Sequence, residues 1–324
     1  MLKRVISLAL TASLTTLPLM ACATSANKAA PAAKASQSSG KVASNARVAD
    51  HYDNGSAPAL HSNAALVMNA QTGELIYAKN SNAVQPIASI TKVMTAMVTL
   101  DGKQSLDEMI TITDDDVDKV KRSGSRLAVG VTLPRREMLL LALMSSENRA
   151  ASALARTYPG GTRAFVAKMN QKARSVGMRN AVFYDSTGLN SGNSATATDL
   201  ARMVQAAYHY PLIRQFTTTA EQEIWVSDRR RLQYRNSNAL VREGEWQIGL
   251  SKTGYIKEAG RCLVMQATVN SLPLVIVLLD GAGATVAIGD GRCRARDVAP
   301  GESTLVDASF VRIGAAPVAS WRYH

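Results

Sequence analysis

QIGLSKTGYIKEAGRCLVMQATVNSLPLVIVLLD, residues 247–280, decides the fold. Three β-rich runs, QIGLSKTGYI, GRCLVMQATVN and LPLVIVLLD, are separated by short turn-forming stretches, a pattern that predicts an antiparallel meander. Near the other end of the chain, ALVMNAQTGELIYAKN (65–80) holds two short apolar runs around Gln71, Thr72 and Gly73, a predicted β-hairpin. The segments between read as helices. PIASITKVMTAMVTLDG (86–102) places Ile90, Val93, Met94, Met97 and Val98 on one helical stripe, with Pro86 just before the start and Gly102 after the end. PRREMLLLALMSSENRAASALA (134–155) is a strongly apolar helical segment interrupted at Ser145, Ser146, Glu147 and Asn148, and 161–181 and 198–208 are also predicted helices. Strands at both ends with helices between imply an α+β fold, an antiparallel sheet formed from both chain ends beside a helical region.

The flanks differ in kind. Lys3 and Arg4 precede a short apolar run and a small-residue cleavage site, so residues 1–23 read as an export signal. Ala21-Cys22-Ala23 fits ordinary cleavage, whereas Leu19-Met20-Ala21-Cys22 resembles a lipoprotein box that would tether the chain to a membrane through Cys22. Residues 24–62, rich in Ala, Ser, Asn and Lys, are an expected disordered linker before a folded domain at 63–284. With 324 residues, 46% hydrophobic, the chain can bury one large core or two modest ones. The net charge of +12 would suit nucleic acid, but an exported chain points to an anionic surface outside the cytoplasm instead. Cys262 and Cys293 could pair in an oxidising compartment or stay as buried thiols. The four histidines are scattered, there is no C-x-x-C or H-E-x-x-H, and no metal or other cofactor is expected.

Three short motifs fall in order on this frame. Ser89-x-x-Lys92 starts a helix, Ser146-x-Asn148 interrupts helices, and Lys252-Thr253-Gly254 lies on a strand. Each has chance rivals: Ser38-Ser39-Gly40-Lys41 repeats the first and Ser191-Gly192-Asn193 the second. The ordered triple is the set that serves serine acyl transfer in class A β-lactamases and penicillin-binding proteins. The chemistry explains the residue types. Ser89 needs a base to become a nucleophile, and Lys92 can be that base once burial and a second cation, Lys252, lower its pKa. The Ser89 N–H, free at a helix start, and the Tyr255 N–H on the strand would stabilise an oxyanion. Ser146 can relay a proton to the leaving amine, Asn148 can hold a substrate amide, Lys252 and Thr253 can bind a carboxylate, and Gly254 lets a peptide lie against the strand.

With PIASITKVMTAMV, REMLLLALMSSENRAASALA, FYDSTGL and KTGYIKEAGRCLV in place, residues 62–282 resemble the serine D-alanyl-D-alanine peptidases, the low-molecular-mass penicillin-binding proteins, most nearly the penicillin-binding protein 7 type of D-alanyl-D-alanine endopeptidase. The resemblance implies the β-lactamase/transpeptidase-like fold, an acyl-enzyme at Ser89, peptidoglycan stem peptides as substrate, β-lactams as covalent inhibitors and a periplasmic setting. About forty residues follow Gly283, too few for the extra β-rich domain of the carboxypeptidase branch, so cleavage of D-alanyl cross-links is expected over removal of a terminal D-alanine. The tail at 285–324 lacks the helical period that the resemblance implies, as a shifted reading frame would produce. Two rivals remain. A β-lactamase needs a carboxylate for deacylation, and FYDSTGLNSGNSATATDL (183–200) has no glutamate and only Asp185 near the motif. A non-catalytic β-lactam-sensing or wall-binding protein would keep binding after Ser89→Ala.

Overall fold

A computed structural model describes residues 61–281. The expected signal segment, Cys22, the linker up to residue 60, Cys293 and the tail at 285–324 lie outside the described residues. The described part opens with strands β1 (Ser62–Asn69), β2 (Leu75–Lys79) and the short β3 (Gln85–Pro86), then helix α1 (Thr91–Asp101). Strands β4 (Met109–Thr111) and β5 (Thr132–Pro134) flank a long loop, followed by α2 (Arg135–Met144), α3 (Asn148–Arg156) and α4 (Gly161–Ser175). Next come β6 (Ser194–Ala195), α5 (Ala197–Tyr208), α6 (Pro211–Thr217), the hairpin β7 (Glu221–Ser227) and β8 (Arg230–Arg235), and α7 (Ala239–Glu243). Strands β9 (Gln247–Ile256), β10 (Gly260–Val269) and β11 (Leu272–Gly281) complete it.

The predicted meander and hairpin join in one five-stranded sheet, β2-β1-β11-β10-β9, antiparallel throughout, with β1 against β11 closing it from both ends of the domain. Ser62, assigned to the linker by composition, is a buried strand residue. Side chains alternate between two buried faces. Val275, Val277 and Leu279 of β11 join the main core under the helices, while Leu274, Ile276 and Leu278 pack with Leu263, Met265, Leu240 and Trp246 on the other face. Burial on both faces is why these strands read as continuous apolar runs and not as alternation.

The α2–α3 break falls where the sequence puts it. Ser146 takes φ +63, a left-handed conformation that ends one helix before Asn148 starts the next. Helix α4 stops at Ser175, short of the predicted 181, because Gly177 turns the chain with φ +82. Ser89 lies at the helix start as expected, in a 3-10 turn, Ala88–Ile90, that runs directly into α1, and Pro86 just ahead of it pairs in strand β3 with Ser194. One expectation about this helix is corrected: α1 is not amphipathic. It is buried on every side, packed among α2 to α6, and Thr91, Lys92, Thr95 and Thr99 are buried with its apolar stripe. Those polar groups are tolerated because each finds a partner: Thr95 Oγ1 donates to the Ser186 carbonyl at 2.7 Å and Thr99 Oγ1 to the Thr95 carbonyl at 2.9 Å.

The acidic run Asp114–Asp116 is a structural cap. Asp116, 4% exposed, accepts from Arg156 and Ser152 and completes a capping box with Thr113.

Candidate active site

The edge strand β9 runs against the Ala88–Ile90 turn, the Ser146–Asn148 break faces the strand across Lys252, and the cleft is what these three segments enclose. Gly254 sits against the turn so closely that an added Cβ would stand 2.9 Å from the Ser89 nitrogen. Ala88 holds φ +46, a left-handed conformation for a residue with a side chain, and so presents Ser89 to that cleft. Gly188 backs the turn from the other side: a Cβ there would lie 1.9 Å from the Ala88 carbonyl oxygen.

Lys92 is fully buried beneath Ser89. Its Nζ is 2.9 Å from Ser89 Oγ, 2.8 Å from Asn148 Oδ1 and 2.6 Å from the Thr187 carbonyl oxygen. A charged ammonium donates to all three. A neutral amine has two N–H groups and one lone pair. The amide and carbonyl oxygens can only accept, so the lone pair is left for the Ser89 hydroxyl. Burial lowers the Lys92 pKa to about 7, against the opposing pull of Asp185 and Glu147.

Lys252, also fully buried, donates to Ser146 Oγ at 3.0 Å and to the Thr253 carbonyl at 2.8 Å. Burial lowers its pKa, and the nearby charge of Lys92 lowers it further. Desolvation is the largest cause for both lysines, and the repulsion between the two charges favours the neutral form within the pair. Thr253 Oγ1 donates to Ser237 Oγ, 2.7 Å away, and Tyr255 is 65% exposed at the open end of the strand with Arg261 over its ring.

All the residues singled out by the three motifs therefore gather in one place. The chance rival Ser191-Gly192-Asn193 does not join them as a motif. Asn193 is buried in the 184–193 loop, where its Oδ1 accepts from the Tyr184 and Asp185 nitrogens. Asp185 is spent there too. Its carboxylate accepts from the Thr187, Gly188 and Asn190 nitrogens, from Thr187 Oγ1 and from Asn193 Nδ2. That closed turn aims the Thr187 carbonyl at Lys92 and leaves the carboxylate engaged on both oxygens. Sequence reasoning missed Thr187, which acts through its backbone and so carries no residue-type signal. It also missed Glu147, a buried carboxylate that accepts from Ser125 Oγ. Ser123 was overlooked as well; its hydroxyl accepts from Asn148 Nδ2 at 3.1 Å. Of the two cysteines discussed as a pair, Cys262 is a buried thiol whose pKa burial raises to about 12.

The chain is similar to known proteins in sequence and in fold. A family described as D-alanyl-D-alanine carboxypeptidase matches residues 52–283. A D-alanyl-D-alanine endopeptidase of Pseudomonas aeruginosa is 45% identical over 251 residues, 77% of this chain and 81% of that protein. One of Escherichia coli is 44% identical over 229 residues, 70% of this chain and 74% of that protein. The crystal structure of the Streptomyces K15 DD-transpeptidase superposes with a TM-score of 0.65 at 29% identity, covering 70% of this chain and 92% of that one.

Proposed function

The chain belongs to the D-alanyl-D-alanine carboxypeptidase family of serine D,D-peptidases, and from that premise we propose that it is an endopeptidase that cleaves D-alanyl cross-links between peptidoglycan stem peptides through an acyl-enzyme. The observation that carries the chemistry is the placement of Lys92, whose only remaining lone pair meets the Ser89 hydroxyl. The choice of cross-link over terminal D-alanine follows the two relatives at 44–45% identity, both named endopeptidases.

In this reading Lys92 removes the Ser89 proton as Oγ attacks the D-alanyl carbonyl. Charge develops on the carbonyl oxygen between the Ser89 and Tyr255 N–H groups. The C–N bond then breaks, and the departing amine takes its proton through Ser146, which Lys252 holds by a hydrogen bond. Lys252 and Thr253 receive the carboxylate beside that amine, and Asn148 the amide of the acyl side. The ester at Ser89 is hydrolysed by water, with Lys92 again as base. A β-lactam acylates Ser89 in the same way, but its amine stays tethered and obstructs the water. Asp185 is a poor candidate to hasten that step, since both its oxygens are bonded within its own loop. A periplasmic site of action, with the option of a lipid on Cys22, rests on the export-type N-terminus.

The test is digestion of purified cross-linked muropeptide dimers and of free pentapeptides, followed by mass spectrometry. Dimers should fall to monomers, with penicillin and Ser89→Ala each abolishing the reaction. Loss of a single alanine from pentapeptides with dimers intact would refute the endopeptidase assignment.

A further inference from the structure

The loop 117–127, between β4 and β5, reaches both walls of the cleft. Asp118 folds it by accepting from the Val120, Lys121 and Ser123 nitrogens. On the helical wall Ser123 meets Asn148 Nδ2, and Ser125 donates to Glu147. On the sheet wall Lys121 Nζ lies 2.5 Å from Glu258 Oε2, on the turn joining β9 to β10 and 137 residues away in sequence. The bridge therefore spans the cleft beyond Tyr255. Among the exposed charged residues of 117–127 and 256–261, cations outnumber carboxylates. Lys119, Arg122 and Lys257 are exposed around the pair and Arg261 covers the Tyr255 ring. Against them stand Glu258 itself, Asp280 behind Gly260 and the buried Glu147 under Ser125, while Asp118 is committed to backbone amides.

The direction of the substrate follows from the proposed function, on which this step rests. With the leaving-group carboxylate at Lys252 and Thr253 and the oxyanion at Tyr255, the acyl part of the stem peptide continues along β9 towards residues 256–258. That course ends at Glu258, the residue to which Lys121 is bridged. We propose that Lys121 is a specificity-determining residue that binds a free carboxylate on the acyl side of the stem peptide, with Glu258 holding the ammonium until substrate displaces it. A basic cleft mouth bridged by one exchangeable ion pair suits an acidic peptide, because the incoming carboxylate replaces an interaction that is worth little at a half-exposed site.

The experiment compares kcat/KM of the full chain on cross-linked dimers with free carboxylates and on the same dimers with those groups converted to carboxamides. The ratio of the two is independent of the folded fraction of any variant. The wild type should prefer the free carboxylate by about five- to tenfold, as expected for one charge-assisted contact. Lys121→Ala should bring the ratio close to one, and Glu258→Gln should raise it by lowering KM for the free-carboxylate dimer. An unaltered ratio in Lys121→Ala overturns the proposal, and so does loss of the preference in Glu258→Gln, which would make the pair a structural strap. A wild type that cleaves neither dimer removes the endopeptidase reading itself, a distinguishable failure.

Discussion

Replacing Glu147 by glutamine tests whether Lys92 is the base. The carboxylate is 7% exposed, accepts from Ser125 and is one residue before Asn148, whose Oδ1 touches Lys92 Nζ. Glutamine keeps an acceptor for Ser125 and removes only the charge. That charge raises the Lys92 pKa, so the variant's Lys92 should titrate below the wild-type value of about 7. One intervening residue places the two charges roughly 8 Å apart, and at an effective dielectric of about 20 their interaction is about 2 kcal/mol, or about 1.5 pKa units as an upper bound. A fall of about one unit is the working figure. The neutral fraction of Lys92 at pH 6 would then rise from about one-tenth to about one-half, and at pH 8 it would barely change. Acylation by a fluorescent penicillin, measured as a second-order rate from pH 5 to 9, should be about fivefold faster than wild type at pH 6 and equal at pH 8. An ascending limb that stays in place, or moves to higher pH, would refute the assignment of that limb to Lys92.

Other outcomes follow from the same geometry. Ser89→Ala should lose covalent penicillin labelling by intact mass while keeping the wild-type melting temperature within a few degrees, since the turn around it is set by Ala88 and Gly188. Gly254→Ala pushes a methyl against the Ser89 nitrogen and should slow acylation at least tenfold, read by the same labelling assay. Gly188→Ala cannot keep both its φ of +81 and its contact with the Ala88 carbonyl, so a loss of about 3 kcal/mol or more in urea unfolding is expected. Between pH 7 and 10 the unfolded chain keeps the Lys92 proton that the folded chain releases, so Lys92 contributes a rise in folding stability with pH, which Lys92→Met should flatten in pH-dependent urea melts.

Much of this site is legible in the sequence because each motif names side-chain types at a spacing that secondary structure converts directly into geometry. Lys92 falls one turn from Ser89, and Lys252 and Gly254 project to one side of a strand. The meander was equally legible, since its apolar runs and turns are local. What the sequence could not show depends on contacts between distant residues. The α1 stripe suggested an exposed polar face, yet Thr95 and Lys92 find the Ser186 and Thr187 carbonyls about ninety residues away. Burial of that face is allowed only because those partners exist. Residues 211–246, for which the sequence reading names no element, form α6, the β7–β8 hairpin and α7, elements held by side chains such as Asn236, whose Nδ2 donates to the Thr217 and Thr219 carbonyls.

The same logic explains why the catalytic amine is where it is. A lysine on the surface of α1 would keep its ordinary pKa and be a cation at neutral pH, unable to accept the Ser89 proton. Packing α1 into the centre of the helical region lowers the pKa to about 7. That burial is costly: a depression of about three and a half units corresponds to roughly 5 kcal/mol when the group must be neutral to be accommodated. The surrounding acceptors, Asn148 and the Thr187 carbonyl, offset part of it and at the same time direct the lone pair to Ser89. The buried polar face that spoils the amphipathic reading of α1 is thus the feature that makes its lysine a base.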